Sequence, residues 1–374
     1  MKRRVLSSKS VALILLLLLG LNASCGGDGD DNSVSQTRPI YLQAVTSDSV
    51  YVMAESQSTD PLTVDYGPTT SYGNSAATVS TKATTGGTFI HRIALTGLTP
   101  DTIYYYRLGS HHNSFHTAVN SGTSFRFAWM ADCRTGTDIH DKIAAMILAA
   151  DPRFSLYGGD LCDNGSSYDI YKDQFFRPHQ VALAAHVPFF NATGNHEKWK
   201  TNTKAFMQAP ASASDNQGYY SFDYGDLHVV VMNFMDPGGY AAGSPQYNFV
   251  ASDLAATTKA WKIVTCHSPA YASGGHGEDA DMIALTTNVF EPFGVDLVVA
   301  GHDHFYQRNF MNNIYHVIIG SAGAPLVDPG PVEGYTQVSL KTYCWALFDL
   351  TPTSLQVHVY NKNGTEIDSL LFSK

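Results

Sequence analysis

Short runs of alternating apolar and polar residues fill the chain between residues 38 and 121. Residues 49–53 and 89–93 are two examples, and Gly, Pro, Asn and Asp stand between such runs. Alternation is typical of strands that bury one face, and the intervening residue types favour turns. The pattern therefore predicts an all-β N-terminal domain, a small antiparallel sandwich, over residues 38–121.

From residue 122 to residue 374 the pattern changes to strands that alternate with helices. Residues 138–150 are predicted to form a helix with Asp138 as its N-cap, because apolar residues recur on one face. Several strand-like runs are apolar throughout, as strands buried on both faces are. The predicted strands are 125–131, 154–157, 188–191, 227–232, 263–265, 297–300, 315–319, 345–348 and 355–360. This order predicts a C-terminal α/β domain.

The first 25 residues have the layout of an export signal. Basic residues near the start precede the apolar run 11–19, which is too short to span a bilayer, and a stretch of small residues ends at Cys25. Residues 26–37, rich in Gly and Asp, are interpreted as a flexible linker. The segment resembles a bacterial lipoprotein signal, in which Cys25 becomes the lipidated N-terminus. An ordinary signal peptide that is cleaved nearby is the alternative.

Both interpretations place the mature chain outside the cytoplasm, as an outer-membrane or cell-surface lipoprotein, or otherwise as a periplasmic or secreted protein. A lipid anchor on Cys25 would be its contact with a membrane. The whole chain has 23 basic and 33 acidic residues. Four of the basic residues lie in the first 25, so the mature chain keeps 19 and has a formal charge of −14. So acidic a chain does not attract a phosphate backbone, and nucleic acid is not an expected partner.

Polar side chains follow five of the predicted strands directly. They are Asp132, Asp160, Asn195 with His196, His267, and His302 with His304. The carboxyl ends of strands in an α/β sheet converge on one crevice, so these side chains are expected to meet there. Two carboxylates, three imidazoles and one amide oxygen suit two divalent metal ions, with one Asp as a bridge. Taken singly, an Asp here could cap a helix and His267 could be a satisfied core imidazole. The six together favour a metal centre.

Two segments of the N-terminal domain carry further signals. Residues 95–106 resemble the end of a fibronectin type III-like domain, in which a Tyr at a strand corner hydrogen-bonds back to the turn. Tyr104 is predicted to be that residue. Residues 111–116 contain three histidines, but no Cys or carboxylate stands at a ligand spacing. They are predicted to form a solvated loop.

The motifs of the C-terminal domain resemble those of calcineurin-like metallophosphoesterases, and in detail those of the purple acid phosphatase branch. Residues 301–308, Gly-His-Asp-His-Phe-Tyr-Gln-Arg, are similar to the family's Gly-His-x-His-x-Tyr-Glu-Arg, and residues 318–325 to its following Gly-rich strand end. His267-Ser268-Pro269 with the later His276 also fits this branch. The resemblance covers nearly the whole mature chain. It implies a fibronectin III-like β-sandwich followed by a four-layer α/β domain with two stacked mixed sheets flanked by helices.

The resemblance also divides the metal ligands between two sites that share a carboxylate. The first site would consist of Asp132, Asp160 and His304. The second would consist of the bridging Asp160, Asn195, His267 and His302. Its metals would be two divalent or mixed-valence ions of Fe, Mn or Zn. His196 and His276 would donate hydrogen bonds to the phosphate, and one of them would be the general acid. The implied reaction is hydrolysis of small phosphate esters, with monoesters preferred, by hydroxide generated on the metal ions.

Three features depart from the family pattern. Arg134 stands two residues after Asp132, where this branch has Gly; it cannot bind a metal, but it is a candidate to contact a phosphate oxygen. Asp163 stands three residues after Asp160, where the branch has a Tyr ligand, and is a candidate ligand in its place. Without that tyrosinate, a ferric form is expected to lack the family's colour. Cysteines 133, 162 and 266 adjoin the motifs. The alternatives for them are buried thiols, a disulfide pair or, for one of the three, a metal ligand.

Two other functions remain open at this point. A phosphodiesterase, nucleotidase or lipid phosphoesterase of the same fold would carry the same motifs, and no loop distinguishes them. A surface adhesion or carbohydrate-binding lipoprotein with a vestigial catalytic half is the alternative outside the enzymes. The complete ligand set argues against it, because drift is expected to damage at least one of six positions. The sequence does not indicate an oligomeric state.

Overall fold

A computed structural model describes residues 39–210 and 218–374 of the chain. The predicted export signal, Cys25 and the linker over residues 26–37 lie outside the described residues. Within the described ranges, no helix is long and apolar enough to cross a membrane.

Seven strands build the N-terminal domain. They are β1 (Ile40–Gln43), β2 (Ser49–Ser56), β3 (Thr63–Gly67), β4 (Asn74–Ala83), β5 (Phe89–Thr96), β6 (Ile103–Leu108) and β7 (His111–His116). All pairings among them are antiparallel, in the order β1-β2-β5-β4-β3-β6-β7. Strand β4 joins the two layers, because its first half pairs with β3 and its second half with β5, with a bulge between Thr78 and Ser80. The predicted β-sandwich is confirmed.

The corner tyrosine of this domain is where the sequence predicts it. The Tyr104 hydroxyl accepts a hydrogen bond from the backbone N–H of Thr99 at 3.1 Å. The predicted loop over residues 111–116 was wrong, because His111–His116 forms strand β7 and pairs with β6 along its whole length. Histidines on an edge strand can face solvent while the backbone still pairs, so a polar composition did not exclude a strand here.

In the described part of the C-terminal domain, thirteen strands build two sheets. The strands of the first sheet are β8 (Phe125–Met130), β9 (Ser155–Tyr157), β10 (Phe189–Asn191), β18 (Cys344–Leu350), β19 (Ser354–Asn361) and β20 (Glu366–Ser373). Those of the second are β11 (Tyr220–Tyr224), β12 (Leu227–Val231), β13 (Trp261–Cys266), β14 (Leu297–Ala300), β15 (Tyr306–Met311), β16 (Ile314–Ile319) and β17 (Thr336–Leu340). Strands β8, β9 and β10 are parallel to one another, as are β12, β13, β14 and β16. Both sheets are therefore mixed.

The two sheets stack on each other and helices cover their outer faces. Apolar side chains such as Phe127, Leu156, Val229 and Ile263 form one core between the sheets. The helices are α1 (Thr137–Ala150), α2 (Tyr168–Gln174), α3 (Pro178–His186), α4 (Thr201–Phe206), α5 (Pro245–Ala256) and α6 (Ala280–Leu285), which continues into a π-helical turn, Thr286–Phe290. Helices α1 to α3 pack on the first sheet and α5 and α6 on the second. The four-layer architecture follows.

Helix α1 begins one residue earlier than predicted and is capped differently. Its N-cap is Gly136, whose carbonyl accepts from Ile139 and His140, and the cap makes no side-chain hydrogen bond. Asp138 lies inside the first turn, so its predicted role as N-cap was wrong. A carboxylate in the first turn still interacts favourably with the helix dipole.

The two domains share one continuous sheet. Strand β1 of the sandwich pairs in parallel with β10 of the first catalytic sheet, with Gln43 opposite Phe189. Buried polar groups reinforce this junction. The carboxylate of Glu55, 3% exposed, accepts from Lys172 and Tyr168 of helix α2. The N-terminal domain thus supports the segment that carries part of the candidate site.

Candidate metal centre

The predicted ligands lie where the parallel strands end. Asp132 follows β8, Asp160 follows β9 and Asn195 follows β10 in the first sheet. In the second sheet, His267 follows β13, and the residues after β14 include His302 and His304. Within each sheet, the strands that precede these residues are parallel to one another, so all these side chains reach one edge of the stacked sheets.

The backbone is unusual at three of these positions. Asp132, Asp160 and His302 have φ values of 57°, 54° and 70°, in the left-handed region that side chains other than Gly seldom adopt. Such conformations cost of order 1–3 kcal/mol each and persist where the surrounding structure enforces them, as at functional sites. They turn the chain sharply off each strand.

Two glycines next to the ligands are required by close packing. A Cβ on Gly194 would lie 2.2 Å from Asp160 Oδ1, and a Cβ on Gly301 would lie 2.4 Å from Asp132 Oδ2. Neither glycine has a positive φ. The structure shows that they make room for the carboxylates.

Four donor atoms of the predicted second site converge around His267. Its Nε2 lies 3.4 Å from Asp160 Oδ1, 3.1 Å from Asn195 Oδ1 and 3.1 Å from His302 Nδ1. Asp132, Asp160 and His267 also place one ligand atom each within 4.8 Å of the others. Separations of this size are those between neighbouring ligands of a single ion with bonds of about 2.0–2.2 Å.

Backbone carbonyls orient two of the imidazoles. His267 Nδ1 lies 2.8 Å from the carbonyl oxygen of Gly158, and His304 Nδ1 lies 2.8 Å from that of Pro325. A carbonyl oxygen can only accept, so Nδ1 carries the hydrogen in both rings and the neutral ring keeps a lone pair on Nε2. This is the arrangement that metal-binding histidines use.

The predicted first site is more open. Asp132 Oδ1 is buried without a hydrogen-bond partner and lies 3.5 Å from His304 Nε2. Asp132 Oδ2 accepts the backbone N–H of His302 at 2.9 Å. An unpartnered buried carboxylate oxygen is costly unless a cation is bound to it.

The charges of the cluster favour a cation. Burial alone would lower the pKa of His267, but the carboxylates of Asp160 and Asp132 outweigh it and raise the pKa to about 10. Burial and the neighbouring His267 charge lower the pKa of His302 to about 2. Without a metal ion, a proton on the His267 ring therefore balances the charge of the neighbouring carboxylates, and a bound cation would balance it instead. The donor set, its orientation and its charge all fit the predicted metal centre.

Arg134 and Asp163 lie together at the rim of the cluster. Arg134 Nη1 lies 2.9 Å from Asp163 Oδ1, and its Nε lies 3.4 Å from Asp160 Oδ2. His196 contacts the same residue, because its Nδ1 lies 2.8 Å from the carbonyl oxygen of Asp163 and 3.4 Å from Oδ1. The carboxylate of Asp163 is thus engaged with a guanidinium and an imidazole. Its assignment as a metal ligand stays a prediction.

His276 lies on the other side of the cluster. Its ring stacks on the ring of His302 with centroids 3.7 Å apart and planes 21° apart, while 60% of its side chain is exposed. The exposed His276 ring therefore lies against His302, and His196 and Arg134 lie beside Asp160 and Asp163. Three groups able to donate hydrogen bonds surround the metal ligands.

Glu197 is a site residue that the sequence reasoning missed. Its buried carboxylate accepts the backbone N–H groups of Asp160 at 3.1 Å and Gly194 at 2.8 Å. Burial, followed by the charge of Asp160, raises its pKa to about 8. The sequence does show an acidic residue at the end of the Gly-Asn-His-Glu motif. It does not show that this residue accepts a hydrogen bond from Asp160, in the turn after β9.

The cysteines beside the motifs are buried free thiols. Cys133, Cys162, Cys266 and Cys344 are unpaired in the described part of the chain. Burial raises the pKa of each thiol, to about 12 for Cys266 and Cys344. Such thiols pack as small apolar side chains, so the disulfide alternative was wrong for Cys133, Cys162 and Cys266.

Comparisons with known proteins agree with the site. The family Calcineurin-like phosphoesterase matches residues 125–306, and the family Purple acid Phosphatase, N-terminal domain matches residues 37–127. Purple acid phosphatase 15 of Arabidopsis thaliana is 27% identical over 68% of this chain and 62% of its own length. Acid phosphatase type 7 of Homo sapiens is 28% identical over 66% of this chain and 63% of its own length. The chain thus spans less than two thirds of the length of either relative.

A solved structure extends the comparison to the fold. A purple acid phosphatase from yellow lupin seeds superimposes with a TM-score of 0.77 at 20% identity, covering 91% of this chain and 74% of that one. The likeness covers both the sandwich and the stacked sheets. Residues 125–306 thus form a calcineurin-like phosphoesterase domain, and residues 37–127 match the N-terminal domain of purple acid phosphatases.

Proposed function

We propose that this protein hydrolyses phosphate monoesters at a centre of two divalent or mixed-valence metal ions. The observation that carries the proposal is the convergence of four ligand atoms. Those of Asp160, Asn195 and His302 lie 3.1–3.4 Å from the fourth, His267 Nε2. The names of the relatives, which are acid phosphatases, support the choice of monoesters. The metals proposed are Fe, Mn or Zn, since carboxylate, amide and imidazole ligands suit them.

When bound, such ions supply an acidic water and neutralise the charge of the phosphoryl oxygens. Asp132, Asp160 and His304 would hold one ion, and the second-site residues would hold the other. The protein's own groups hold the ester in place. Arg134 donates to a phosphoryl oxygen, and His196 or His276 donates a proton to the oxygen of the departing alcohol as its bond to phosphorus breaks.

The decisive experiment is turnover of an aryl phosphate by the mature protein before and after chelation. Activity should be lost on chelation and return with manganese, zinc or iron. Asp132→Ala should abolish it, whereas the matched control Asp138→Ala, an exposed residue of helix α1, should not. Turnover that persists without metal would overturn the proposal, and faster cleavage of a diester than of the monoester would replace its substrate class. A protein that binds metal but hydrolyses neither would favour the vestigial alternative.

We propose further that the protein works outside the cytoplasm, anchored through lipid on Cys25. The apolar run and small residues before Cys25 support this location. Full-length protein should fractionate with membranes, and Cys25→Ser should release it. Unchanged fractionation of the variant would favour an ordinary signal peptide.

A further inference from the structure

Asp303 is a buried carboxylate that the metal centre does not use. It occupies the variable position of the Gly-His-x-His motif and is 0% exposed. Its Oδ1 accepts the backbone N–H of His276 at 2.8 Å and lies 3.0 Å from the Nδ1 of the same residue. Its Oδ2 has no hydrogen-bond partner. A single carboxylate therefore binds both the backbone and the ring of one exposed histidine.

The loop that carries His276 is built around this carboxylate. Gly275 has a φ of 62°, and a Cβ at this position would lie 1.8 Å from Asp303 Oδ1. The start of the loop is held in the same way, because Ser273 donates its backbone N–H to Gln307 Oε1 at 3.1 Å. Two residues of the motif over 301–308 thus hold the loop at two points. Glycine at 275 is required by the close approach.

The contact also determines which ring nitrogen of His276 is free. Asp303 Oδ1 already accepts the backbone N–H of His276, so it also acts as the acceptor for the ring, and Nδ1 carries the hydrogen in the neutral and in the charged ring. Nε2 is then the nitrogen that exchanges a proton. Turning the ring over would replace Nδ1 with a carbon atom and lose this bond, although the ring would still stack on His302. A neutral histidine without such a partner favours the opposite tautomer, with the hydrogen on Nε2.

We propose that Asp303 is a positioning residue, which holds the Nδ1 hydrogen of His276 and keeps its ring against His302, so that Nε2 faces the departing alcohol. In the reaction, the bond between phosphorus and the alcohol oxygen breaks, and the Nε2 proton passes to that oxygen. The imidazole is left neutral with its hydrogen on Nδ1. The division of roles is that of a carboxylate that orients a catalytic imidazole. The kinetic part of this inference rests on the proposed function, whereas the tautomer does not.

The first test is the tautomer of His276 in metal-free protein, from ¹⁵N NMR of labelled histidine at a pH where the ring is neutral. His276→Gln identifies the signal. The wild-type ring should carry its hydrogen on Nδ1, and Asp303→Ala should move it towards Nε2. Asp303→Leu keeps a similar side-chain volume without an acceptor if the Ala variant folds poorly, and should also relax the preference. Asp328→Asn, at an exposed carboxylate paired with Lys341, is the control. An Nε2 hydrogen in the wild type, or no change in either Asp303 variant, would overturn the proposal.

The second test is the dependence on the leaving group. Asp303→Ala should lower kcat/KM for an alkyl phosphate by about 10- to 100-fold, the usual effect of a residue that orients another. It should lower it less for an aryl phosphate, whose leaving group needs the proton less. The double variant with His276→Ala should be no slower than His276→Ala alone. Equal losses on both substrates, or additive losses, would show a merely structural role. If the wild type cleaves neither ester, the proposed function fails. The NMR measurement of the His276 tautomer then still tests whether Asp303 positions that ring.

Discussion

Arg134 and Asp163 form a salt bridge at the rim of the metal-ligand cluster, with Nη1 2.9 Å from Oδ1. The same guanidinium also faces the carboxylate of Asp160. Its five N–H donors exceed what two carboxylates engage in this geometry, so it is able to bind a phosphoryl oxygen as well. One of the positions that departs from the family pattern is therefore occupied by a cation held at the site.

Replacing Arg134 should weaken phosphate binding. Arg134→Ala is expected to raise KM for a phosphate ester, and the inhibition constant of inorganic phosphate, by about 10- to 100-fold, because a charge-assisted hydrogen bond is lost. Arg107→Ala, which removes an exposed salt bridge in the sandwich, is the control. Steady-state kinetics with phosphate as inhibitor measure both constants. Unchanged constants would show that Arg134 does not reach the substrate.

Asn195 and His267 should be needed for the second metal ion, but with different effects on folding. Either Ala variant should bind fewer ions per chain and lose at least about 100-fold in kcat/KM, more than a residue of the outer shell costs. His267 is fully buried, whereas Asn195 is partly exposed. His267→Ala should therefore also destabilise the fold by about 1–3 kcal/mol, and Asn195→Ala should not. Elemental analysis with denaturant unfolding distinguishes the two; full metal content in either variant would contradict the assignment.

Protein loaded with iron should lack an intense tyrosinate band. The two tyrosines that flank the bridging carboxylate are engaged elsewhere. The Tyr157 hydroxyl accepts from Gln180 at 2.8 Å, and that of Tyr168 donates to Glu55. A carboxylate ligand has no low-lying π orbital for such a transition. The visible spectrum of the ferric protein checks this, and a strong band that survives Asp163→Ala would show that a tyrosine reaches the metal.

Lys172 should stabilise the junction between the two domains. Its ammonium group pairs with Glu55, which is almost completely buried, so Lys172→Met leaves a buried charge without its partner. We expect a loss of about 3–5 kcal/mol in the free energy of unfolding. Arg107→Met breaks the exposed pair with Asp65 and should cost at most about 1 kcal/mol. Urea unfolding of the two variants provides the comparison, and equal small losses would contradict it.

His228 should make stability depend on pH. It lies near the amino end of β12, away from the metal ligands, with Nδ1 2.8 Å from Asp223 and Nε2 2.8 Å from Asp253. Burial lowers its pKa, but the two carboxylates outweigh it and raise the pKa from 6.5 to about 9. Since the folded protein binds the proton more tightly, this stabilisation is complete below pH 6.5 and is lost as the pH rises through 9.

The size of that effect is measurable. The free energy of unfolding should fall by up to about 3 kcal/mol across this range, and His228→Gln should remove most of the fall. Lys259, whose ammonium group lies 3.7 Å from Asp223, contacts the same carboxylate and is left unchanged in the variant. Unfolding in denaturant at several pH values is the measurement. The same slope in wild type and variant would show that His228 is not the titrating group.

The sequence by itself determined the two-part fold and the six predicted ligands. Alternation and apolar runs act over a few residues, so β8, β12 and β14 were predicted within one or two residues of their bounds. The six residues could be proposed as ligands because each stands just beyond a strand, and parallel strands end at one edge. Tyr104 was found for a similar reason, since its partner Thr99 is only five residues away. These properties depend on short stretches of the sequence alone.

Only the tertiary structure decided which distant groups meet. The pairing of β1 with β10 joins residues about 150 positions apart, and the sequence predicted two separate domains there. Asp303 meets His276, Glu197 meets the backbone of Asp160, and Asp163 meets Arg134 across separations of 27 to 37 residues. Whether a buried acid binds a metal, a guanidinium or an imidazole depends on what packing brings within hydrogen-bond reach. Local periodicity holds no information about that, because a carboxylate is satisfied by whichever partner the folded chain places beside it.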